Sequence, residues 1–270
     1  MKSNFTNDKL YRDSLYFRFT TNKIKSSKNL DIVKYFGKNI CFQYFDSAID
    51  DEDISFLKNI NKSSNIQFRY INMDSNLYKV LNINFIIDIT DKWKAPILEL
   101  KKNEVDNYVN SKSYNFRRMI KKNDNYLKEL KFKKGNTFDL WKNILYIDQN
   151  SWKSEEESDM FNLSYEHITL LSQIKNSDIE VAYKNGVPVG YSLLIYYSGI
   201  YYAAKWGATE EGRKLNAGII CLFNQIKRLS KKKDLYIDLW GRNNKIYDRI
   251  ATSFIDRCYL RISKNGSKKN

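Results

Sequence analysis

The alternation of apolar and polar residues is clearest in the C-terminal half of the chain, where it predicts strands joined by tight turns. Residues 179–184, 187–197 and 200–208 are rich in β-branched and aromatic residues. Asn185-Gly186 and Ser198-Gly199 separate them, and Asn-Gly is a strong hairpin signal. We therefore predict three consecutive antiparallel strands.

After these strands the pattern changes to helices and strands in alternation. A loop at 209–218 leads into a helix predicted over 219–229, and a strand follows at 235–240. A second helix is predicted over 246–254 and a last strand over 257–262. This order predicts antiparallel hairpins that lead into a βαβ-type crossover.

The first hundred residues alternate shorter runs. Strand-like segments occupy 39–45, 66–73 and 83–89, and a helix with acidic residues in its first turn is predicted over 51–60. This part contains no motif of recognisable chemistry, so its pattern predicts a small α/β platform.

A charged helical stretch, residues 97–131, connects the two halves. Five of the eleven residues in 112–122 are basic, including Arg117 and Arg118. They form either a solvated helix face or a basic wall beside an anionic ligand. Consecutive residues on a helix point in different directions, so at most one of the two arginines faces a given site. Helices are also predicted over 138–147 and 165–174.

The charge and composition limit the classes of protein to which this chain can belong. The chain has 270 residues, a formal charge of +15 and 15% aromatic residues, which argues against a wholly disordered chain. The basic surplus favours an anionic partner, namely nucleic acid, anionic lipid or a phosphate-bearing cofactor. The alternative is that the Lys- and Asn-rich composition reflects a biased genome.

Several kinds of site are excluded by residue counts. The three cysteines contain no CxxC pair, and His167 is the single histidine, so we expect no disulfide framework and no metal site. His167 is either a packed or surface residue or a catalytic one. No apolar run is long enough to span a membrane, and the N-terminus lacks the apolar region of a signal peptide. We expect a cytoplasmic protein.

The loop before the predicted helix 219–229 is the strongest candidate ligand site. Ala217 and Gly218 are small residues at a helix start, where free N–H groups and the helix dipole favour a pyrophosphate. Arg213 adds a guanidinium for the same phosphates. The alternative is an ordinary glycine-containing loop, because the segment is neither a P-loop nor GxGxxG.

The order of these elements resembles the GNAT acyl-CoA N-acyltransferase superfamily. Its phosphate loop reads Gln/Arg-x-x-Gly-x-Gly/Ala, and Arg213, Asn216 and Gly218 occupy the three positions. Asn216 departs from glycine, but asparagine is the other residue that best tolerates positive φ.

Within that superfamily the chain is most similar to the CelD-like and Fem-type peptidyltransferase-related branch, over roughly residues 82–262. The R-R-x-x-x-K helix is matched at 117–122 and Ser-Trp-Lys at 151–153. The D-L-x-G element with its downstream tyrosine is matched by Asp238, Leu239, Gly241 and Tyr247, although Asp248 replaces the expected lysine.

The resemblance implies an α/β (α+β) fold with a GNAT-like, mixed and mostly antiparallel sheet flanked by helices. It implies a GNAT-like acyltransferase domain over 101–270. Residues 1–100 are then either a plain α/β platform or a reduced second GNAT-like unit.

The resemblance also implies roles for single residues. An oxyanion donor is expected among the backbone N–H groups of a cofactor-binding segment, Lys205, Trp206, Gly207 and Ala208. Tyr247 would protonate the leaving thiolate, unless it merely packs its helix. Either Asp148 or Asp238 would take the amine proton; Asp238 could equally have a salt-bridge or capping role.

Substrate contacts are expected from Arg117, Arg118, Trp152 and Lys153. The implied activity is transfer of an acyl group from acyl-CoA, or from an acyl-carrier protein, to an amine of a sugar, peptide or small metabolite. Two alternatives stay open. One is a Fem-type peptidyltransferase that uses aminoacyl-tRNA, and the other is a basic nucleic-acid-binding protein without catalysis.

Overall fold

The structure is a computed structural model that describes residues 23–26, 30–35, 38–43, 51–61, 65–151, 165–197, 199–239 and 245–267. Its strands are β1 (Lys23–Ser26), β2 (Leu30–Tyr35), β3 (Lys38–Gln43), β4 (Ile66–Asn72), β5 (Phe85–Leu100), β6 (Lys131–Gly135), β7 (Ser177–Lys184), β8 (Val187–Tyr197), β9 (Ile200–Ala208), β10 (Leu235–Asp238) and β11 (Ser253–Ser267).

The described helices are α1 (Asp51–Asn61), α2 (Asn76–Asn84), α3 (Val105–Ser111), α4 (Tyr114–Tyr126), α5 (Phe138–Gln149), α6 (Tyr165–Leu171), α7 (Glu210–Lys214), α8 (Ala217–Ser230) and α9 (Lys245–Ile250). The chain divides into two compact units. Among the described residues, unit 1 comprises 96–253 and unit 2 comprises 23–95 and 254–267.

Unit 2 is an α/β unit whose strands lie in the order β1-β2-β3-β4-β11-β5. The β1–β2, β2–β3 and β4–β11 pairs are antiparallel, and β3–β4 is parallel. Its core joins α1, α2 and the strands through apolar side chains such as Leu57, Phe68, Leu81 and Leu260. The division of the sequence at residue 100 does not anticipate that 254–267 belong here. Pairing of β11 with β4 brings them to this unit.

Unit 1 contains a mixed, mostly antiparallel sheet, as predicted. Its strands lie in the order β5-β10-β9-β8-β7-β6, and only the β10–β9 pair is parallel among the pairs described. The two predicted hairpins join β7, β8 and β9, and α8 makes the predicted crossover to β10. Apolar side chains of α4, α8 and β10, including Phe116, Leu222 and Ile237, form its largest core cluster.

The helices α5 and α8 pack on opposite faces of this sheet. Gly190 of β8 lies against Ala217 of α8, whereas the next residue, Tyr191, bonds to Asp148 of α5. Successive strand residues point to opposite faces. The catalytic candidates on α5 and α9 are therefore reached from different sides of the sheet.

Several predicted boundaries are wrong. Residues 97–100 continue β5 because they pair with all of β10, so the helical stretch predicted from 97 begins only with α3. Residues 76–84 form α2, capped by the Ser75 hydroxyl, which accepts from the Tyr78 N–H at 3.2 Å. The helix predicted over 246–254 ends at Ile250, and β11 begins at Ser253.

Candidate active site

The sheet of unit 1 opens beside β9. In the described part of the chain β10 pairs with β9 at two positions, Ile237 with Tyr201 and Asp238 with Tyr202. Strand β9 continues to Ala208 with β8 still paired along its other edge. Beyond Tyr202, the edge of β9 on the β10 side therefore has no described strand paired with it. An extended ligand could lie along that edge.

A β-bulge in β9 determines which side chains beside this opening lie on each face of the sheet. Leu193 pairs with Lys205 and Leu194 with Ala203, so Ala204 is an extra residue. Before the bulge, Tyr201 and Ala203 point into the core beneath α8. One extra residue reverses the alternation. After the bulge Trp206 points to the α8 face, and Lys205 points to the α5 face.

On the α5 face, three polar side chains form a buried cluster. The Lys205 ammonium forms an ion pair with the Asp148 carboxylate, and the two side chains are 9% and 3% exposed. The Tyr191 hydroxyl donates a hydrogen bond of 2.7 Å to Asp148 Oδ1. A Cβ at Gly207 would lie 2.9 Å from the Tyr191 ring and 3.3 Å from that same oxygen. Glycine at 207 thus leaves room for the cluster.

Asp148 is therefore a carboxylate that already has a cation and a hydroxyl as partners. Breaking a buried pair leaves an uncompensated charge, which is costly. The sequence identified Asp148 as a base and Lys205 as part of the cofactor segment, but not their pairing. It gave no signal for Tyr191, which is one of 20 tyrosines.

On the α8 face, Tyr247 of α9 is 4% exposed and packs against Trp206, with ring centroids 5.9 Å apart. Burial raises the pKa of the Tyr247 phenol well above its usual value, and a hydrogen bond with Trp206 acts in the opposite direction. The phenol is thus protonated at neutral pH. Its position beside the bulged strand is compatible with the predicted proton donor.

Two residues that sequence reasoning missed fix the end of the helix that carries Tyr247. The Tyr108 hydroxyl donates to the Ile250 carbonyl, and the Lys112 ammonium donates to the Ala251 carbonyl. Burial raises the pKa of Tyr108 and lowers the pKa of Lys112. Both donors satisfy carbonyls that the end of α9 leaves without partners. Lys112 lies in the predicted basic run, but its role there is to hold α9.

The loop between β9 and α8 is more structured than predicted. It contains the short helix α7, whose N-cap Thr209 accepts from the Gly212 N–H at 3.1 Å. Asn216 has φ 53° and ψ 29°, which lie in the left-handed region. This is the conformation expected at a loop position that glycine usually occupies. The Asn216 N–H donates to Arg213 O at 3.1 Å. This N–H is therefore bonded within the loop and is not available to a pyrophosphate.

Small residues allow the start of α8 to lie very close to the sheet. A Cβ at Gly190 would be 2.5 Å from the Ala217 Cβ, and one at Gly218 would be 2.8 Å from Gly207 O. The first N–H groups of a helix have no partner within it. The N-terminus of α8 is thus held directly beside Gly207 of the bulged strand.

The other predicted site residues are spread more widely. Asp238 is buried at the end of β10, where that strand parts from β9. Arg213 is exposed on α7. The Arg117 guanidinium donates to Asn110 O at 3.1 Å and to Lys112 O at 2.6 Å, which ties it to the end of α3, and Arg118 is exposed. Trp152, Lys153, Gly241 and the side chain of His167 lie outside the described residues.

In the ranges the structure covers, no group of three or more His, Cys, Asp or Glu residues is placed to hold a metal ion. No helix in those ranges is both long enough and apolar enough to cross a membrane.

Comparison with known proteins gives structural relatives but no sequence relatives. No family model matches the chain, and none of the curated proteins matches it. A conserved protein of unknown function from Bacteroides thetaiotaomicron VPI-5482 is similar with a TM-score of 0.62 and 13% identity, covering 97% of this chain and 94% of its own. L-PGS from Bacillus licheniformis has a TM-score of 0.62 and 10% identity, over 96% and 91% of the two chains. FemX has a TM-score of 0.56 and 10% identity, over 91% and 88%.

At these identities the likeness concerns the fold. The chain has a GNAT-like fold of the kind found in Fem-type proteins, which confirms the resemblance stated from the sequence. The predicted fold class, a mixed and mostly antiparallel sheet flanked by helices, is confirmed with it.

Proposed function

We propose that the protein is an N-acyltransferase that moves an acyl group from a thioester, most simply acyl-CoA, to an amine of a sugar, peptide or small metabolite. One observation carries this proposal. The bulged strand β9 leaves β10 at Tyr202, and it has an ion-paired carboxylate on one face and a buried, protonated tyrosine on the other.

The donor would lie along the opened edge of β9. Its pyrophosphate would meet the N–H groups of Ala217 and Gly218 at the start of α8, with Arg213 nearby on α7. The thioester carbonyl would then face the backbone of residues 205–208. A backbone N–H of that segment would stabilise the oxyanion that forms on attack.

The reaction needs two proton movements, one on each face. The acceptor nitrogen attacks the thioester carbon, the C–S bond breaks, and the thiolate takes a proton from Tyr247 on the α8 face. The acceptor's own proton leaves on the other side, where Asp148 is held by Lys205 and Tyr191. Asp238, buried where the sheet opens, is the second candidate base.

The acceptor side would include residues predicted from the basic helix and the Ser-Trp-Lys element. We assign Arg118 an electrostatic role there, because its guanidinium is exposed on α4 and cannot act as a base at neutral pH. Arg117 would act indirectly, because its guanidinium caps the end of α3. Trp152 and Lys153 keep their assignment as acceptor contacts by resemblance alone.

Calorimetry with CoA and an acyl-CoA tests the donor site, with a charge reversal at Arg213 and a matched control beside it. Arg213→Glu should weaken binding by about tenfold, because a carboxylate would repel the phosphates. Lys214→Glu changes the charge equally on the same short helix and should have a smaller effect. Equal losses in the two variants would argue against a specific phosphate contact at Arg213.

A Fem-type reaction with aminoacyl-tRNA as donor is the second candidate. The likeness to FemX and the charge of +15 favour it. Binding of tRNA would weaken steeply as salt is raised, whereas acyl-CoA makes fewer phosphate contacts. Mass spectrometry of the product formed from each donor separates the two reactions.

A further inference from the structure

The helix α9, which carries Tyr247, has only six residues. A helix this short is not stable by itself, so contacts with neighbouring elements set its position. Its last hydrogen bond joins the Ala251 N–H to the Tyr247 carbonyl at 2.8 Å. The place of the Tyr247 phenol therefore depends on what holds the end of α9, at Ile250 and Ala251.

Two side chains hold that end from one side. Tyr108 of α3 donates its hydroxyl hydrogen to the Ile250 carbonyl, and Lys112, the C-cap of α3, donates to the Ala251 carbonyl. Tyr108 is 7% exposed, and its ring centroid lies 5.0 Å from the Lys112 ammonium. A cation at the C-terminal end of a helix also interacts favourably with the helix dipole. We call Tyr108 and Lys112 the α9 clamp.

On the other side, Thr252 anchors the chain to β5 directly after α9. The Thr252 N–H donates to the Ile97 carbonyl at 2.8 Å, and its hydroxyl accepts from the Glu99 N–H at 2.7 Å. Ile97 is in turn paired with Asp238, the last residue of β10. The end of α9 is thereby fixed to the sheet at the position where β10 ends and the edge of β9 opens.

The α9 clamp is itself supported by α4. The Arg117 guanidinium donates to the Lys112 carbonyl at 2.6 Å, so it fixes the backbone from which the Lys112 side chain extends. The Tyr108 ring packs against Phe116 of α4 with centroids 6.1 Å apart, and Phe116 packs against Phe223 of α8 at 5.7 Å. The clamp thus joins the packed helices of unit 1 to the helix of the proposed proton donor.

The charge of Lys112 argues that the clamp does more than fill space. Its side chain is half-buried, and burial lowers its pKa. The partners that the structure gives its ammonium are the Ala251 carbonyl and the Tyr108 ring, and neither carries a negative charge. A charge removed from water without a counter-charge costs stability. An apolar side chain would serve packing better, whereas only a donor can hold the Ala251 carbonyl in place.

We propose that Tyr108 and Lys112 are positioning residues, which hold α9 so that the Tyr247 phenol meets the leaving thiolate. Arg117 contributes by holding Lys112. This inference rests on the proposed acyltransferase function, and it gives the basic helix α4 a role in proton transfer that needs no contact with substrate. The clamp donates its hydrogen bonds to carbonyls and gives up no proton, so Tyr247 alone protonates the thiolate.

The test is a double-mutant cycle on kcat with acyl-CoA as the donor. Tyr108→Phe keeps the ring but removes the bond to Ile250, so α9 should shift and kcat should fall by about tenfold or more. The KM for acyl-CoA should stay within about twofold, because the proposed phosphate contacts lie on α7 and α8. In a Tyr247→Phe background the same change should have little further effect, because the group that it positions is already absent.

Further variants separate positioning from stability. Lys112→Met removes the donor to Ala251 and should act as Tyr108→Phe does, whereas Lys112→Arg keeps a donor there and should retain most of the activity. Tyr183→Phe is the matched control. Tyr183 is 9% exposed, and its hydroxyl accepts a 2.7 Å bond from Asn143 of α5, away from α9. This control should keep the wild-type kcat even where its melting temperature falls as far as that of Tyr108→Phe.

Hydrogen exchange followed by mass spectrometry tests the clamp without turnover. The Ala251 amide should exchange faster in Tyr108→Phe and Lys112→Met than in the wild type and the Tyr183→Phe control. Unchanged exchange would overturn the clamp. Faster exchange with no loss of kcat, or with an equal loss in both Tyr247 backgrounds, would overturn the positioning role. Absence of acyl transfer by the wild type would instead overturn the proposed function and, with it, the catalytic part of this inference.

Discussion

Lys205 and Trp206 are neighbours in sequence and belong to opposite faces of the sheet. Lys205 pairs with Asp148 on the α5 side, and Trp206 packs against Tyr247 on the α8 side. In a regular strand this is the expected alternation, but here the bulge at Ala204 decides which residue takes which face. The two proposed proton-transfer groups are thereby connected through adjacent residues of one strand.

Replacement of Tyr247 by phenylalanine tests the proton donor. Tyr247→Phe keeps the buried ring and its packing on Trp206, so the melting temperature should change little. Loss of a general acid typically lowers the rate by on the order of 10²–10⁴. The measurement is kcat for both proteins at matched folded fractions. A fall of less than about threefold would show that the thiolate leaves without help from Tyr247.

Burial of Tyr247 also predicts a pH dependence of stability. Its pKa is raised in the folded protein, so the folded state keeps a proton that the unfolded chain loses above about pH 10. The stabilisation is fully present below that pH and is lost as pH rises further. Because the two proteins should be about equally stable at neutral pH, denaturant titrations should show the wild type becoming less stable than Tyr247→Phe as pH rises above about 10. A constant difference between them from pH 8 to about 11 would contradict the buried, protonated phenol.

A double-mutant cycle separates the structural role of the ion pair from its chemical role. Asp148→Asn leaves the Lys205 ammonium buried without its counter-charge and should cost about 3–5 kcal/mol of unfolding free energy. Adding Lys205→Met removes the unpaired charge and should restore much of that stability. If Asp148 accepts the proton of the acceptor amine, activity should stay low in both Asp148→Asn and the double variant. Recovery of activity in the double variant would reduce Asp148 to a structural role.

The left-handed backbone at Asn216 predicts opposite effects of two small substitutions. Asn216→Ala puts at φ 53° a side chain that has a Cβ but no polar group to bond the local backbone. It should lower the free energy of unfolding by about 1–2 kcal/mol. Asn216→Gly suits that conformation and restores the glycine of the GNAT loop, although it removes the 3.0 Å hydrogen bond to Asn123. Thermal melts and acyl-CoA affinity should rank glycine above alanine. Both variants lose the bond to Asn123, so the reverse ranking would contradict the left-handed backbone described at Asn216.

The close approach of α8 to β8 predicts an effect at Gly190. Gly190→Ala would bring a methyl group to 2.5 Å from the Ala217 Cβ, so α8 must shift, at a cost of about 1–3 kcal/mol. Donor affinity should fall with stability because the start of α8 moves. Adding Ala217→Gly removes the nearest atom and should recover part of both. Wild-type stability and affinity in Gly190→Ala alone would contradict the packing described here.

Much of the fold follows from the sequence because its signals are local. The Asn185-Gly186 turn and the alternating strands around it fix the antiparallel hairpins, and the periodicity of α8 predicts the crossover helix. Asn216 was expected at positive φ from its place in the loop, and the structure has it there. The family resemblance likewise rested on residues in a fixed order along the chain.

What the tertiary structure decided depends on contacts between distant residues. Residues 97–100 have no local preference strong enough to prevent a helix, and they become strand because β10 pairs with them. No local pattern marks the bulge at Ala204, which becomes visible only in the register of β8 against β9. The pairing of Lys205 with Asp148 and the capping of α9 by Tyr108 join residues far apart in sequence. Side-chain chemistry could therefore be proposed from the sequence, but the partners of each group were set by packing.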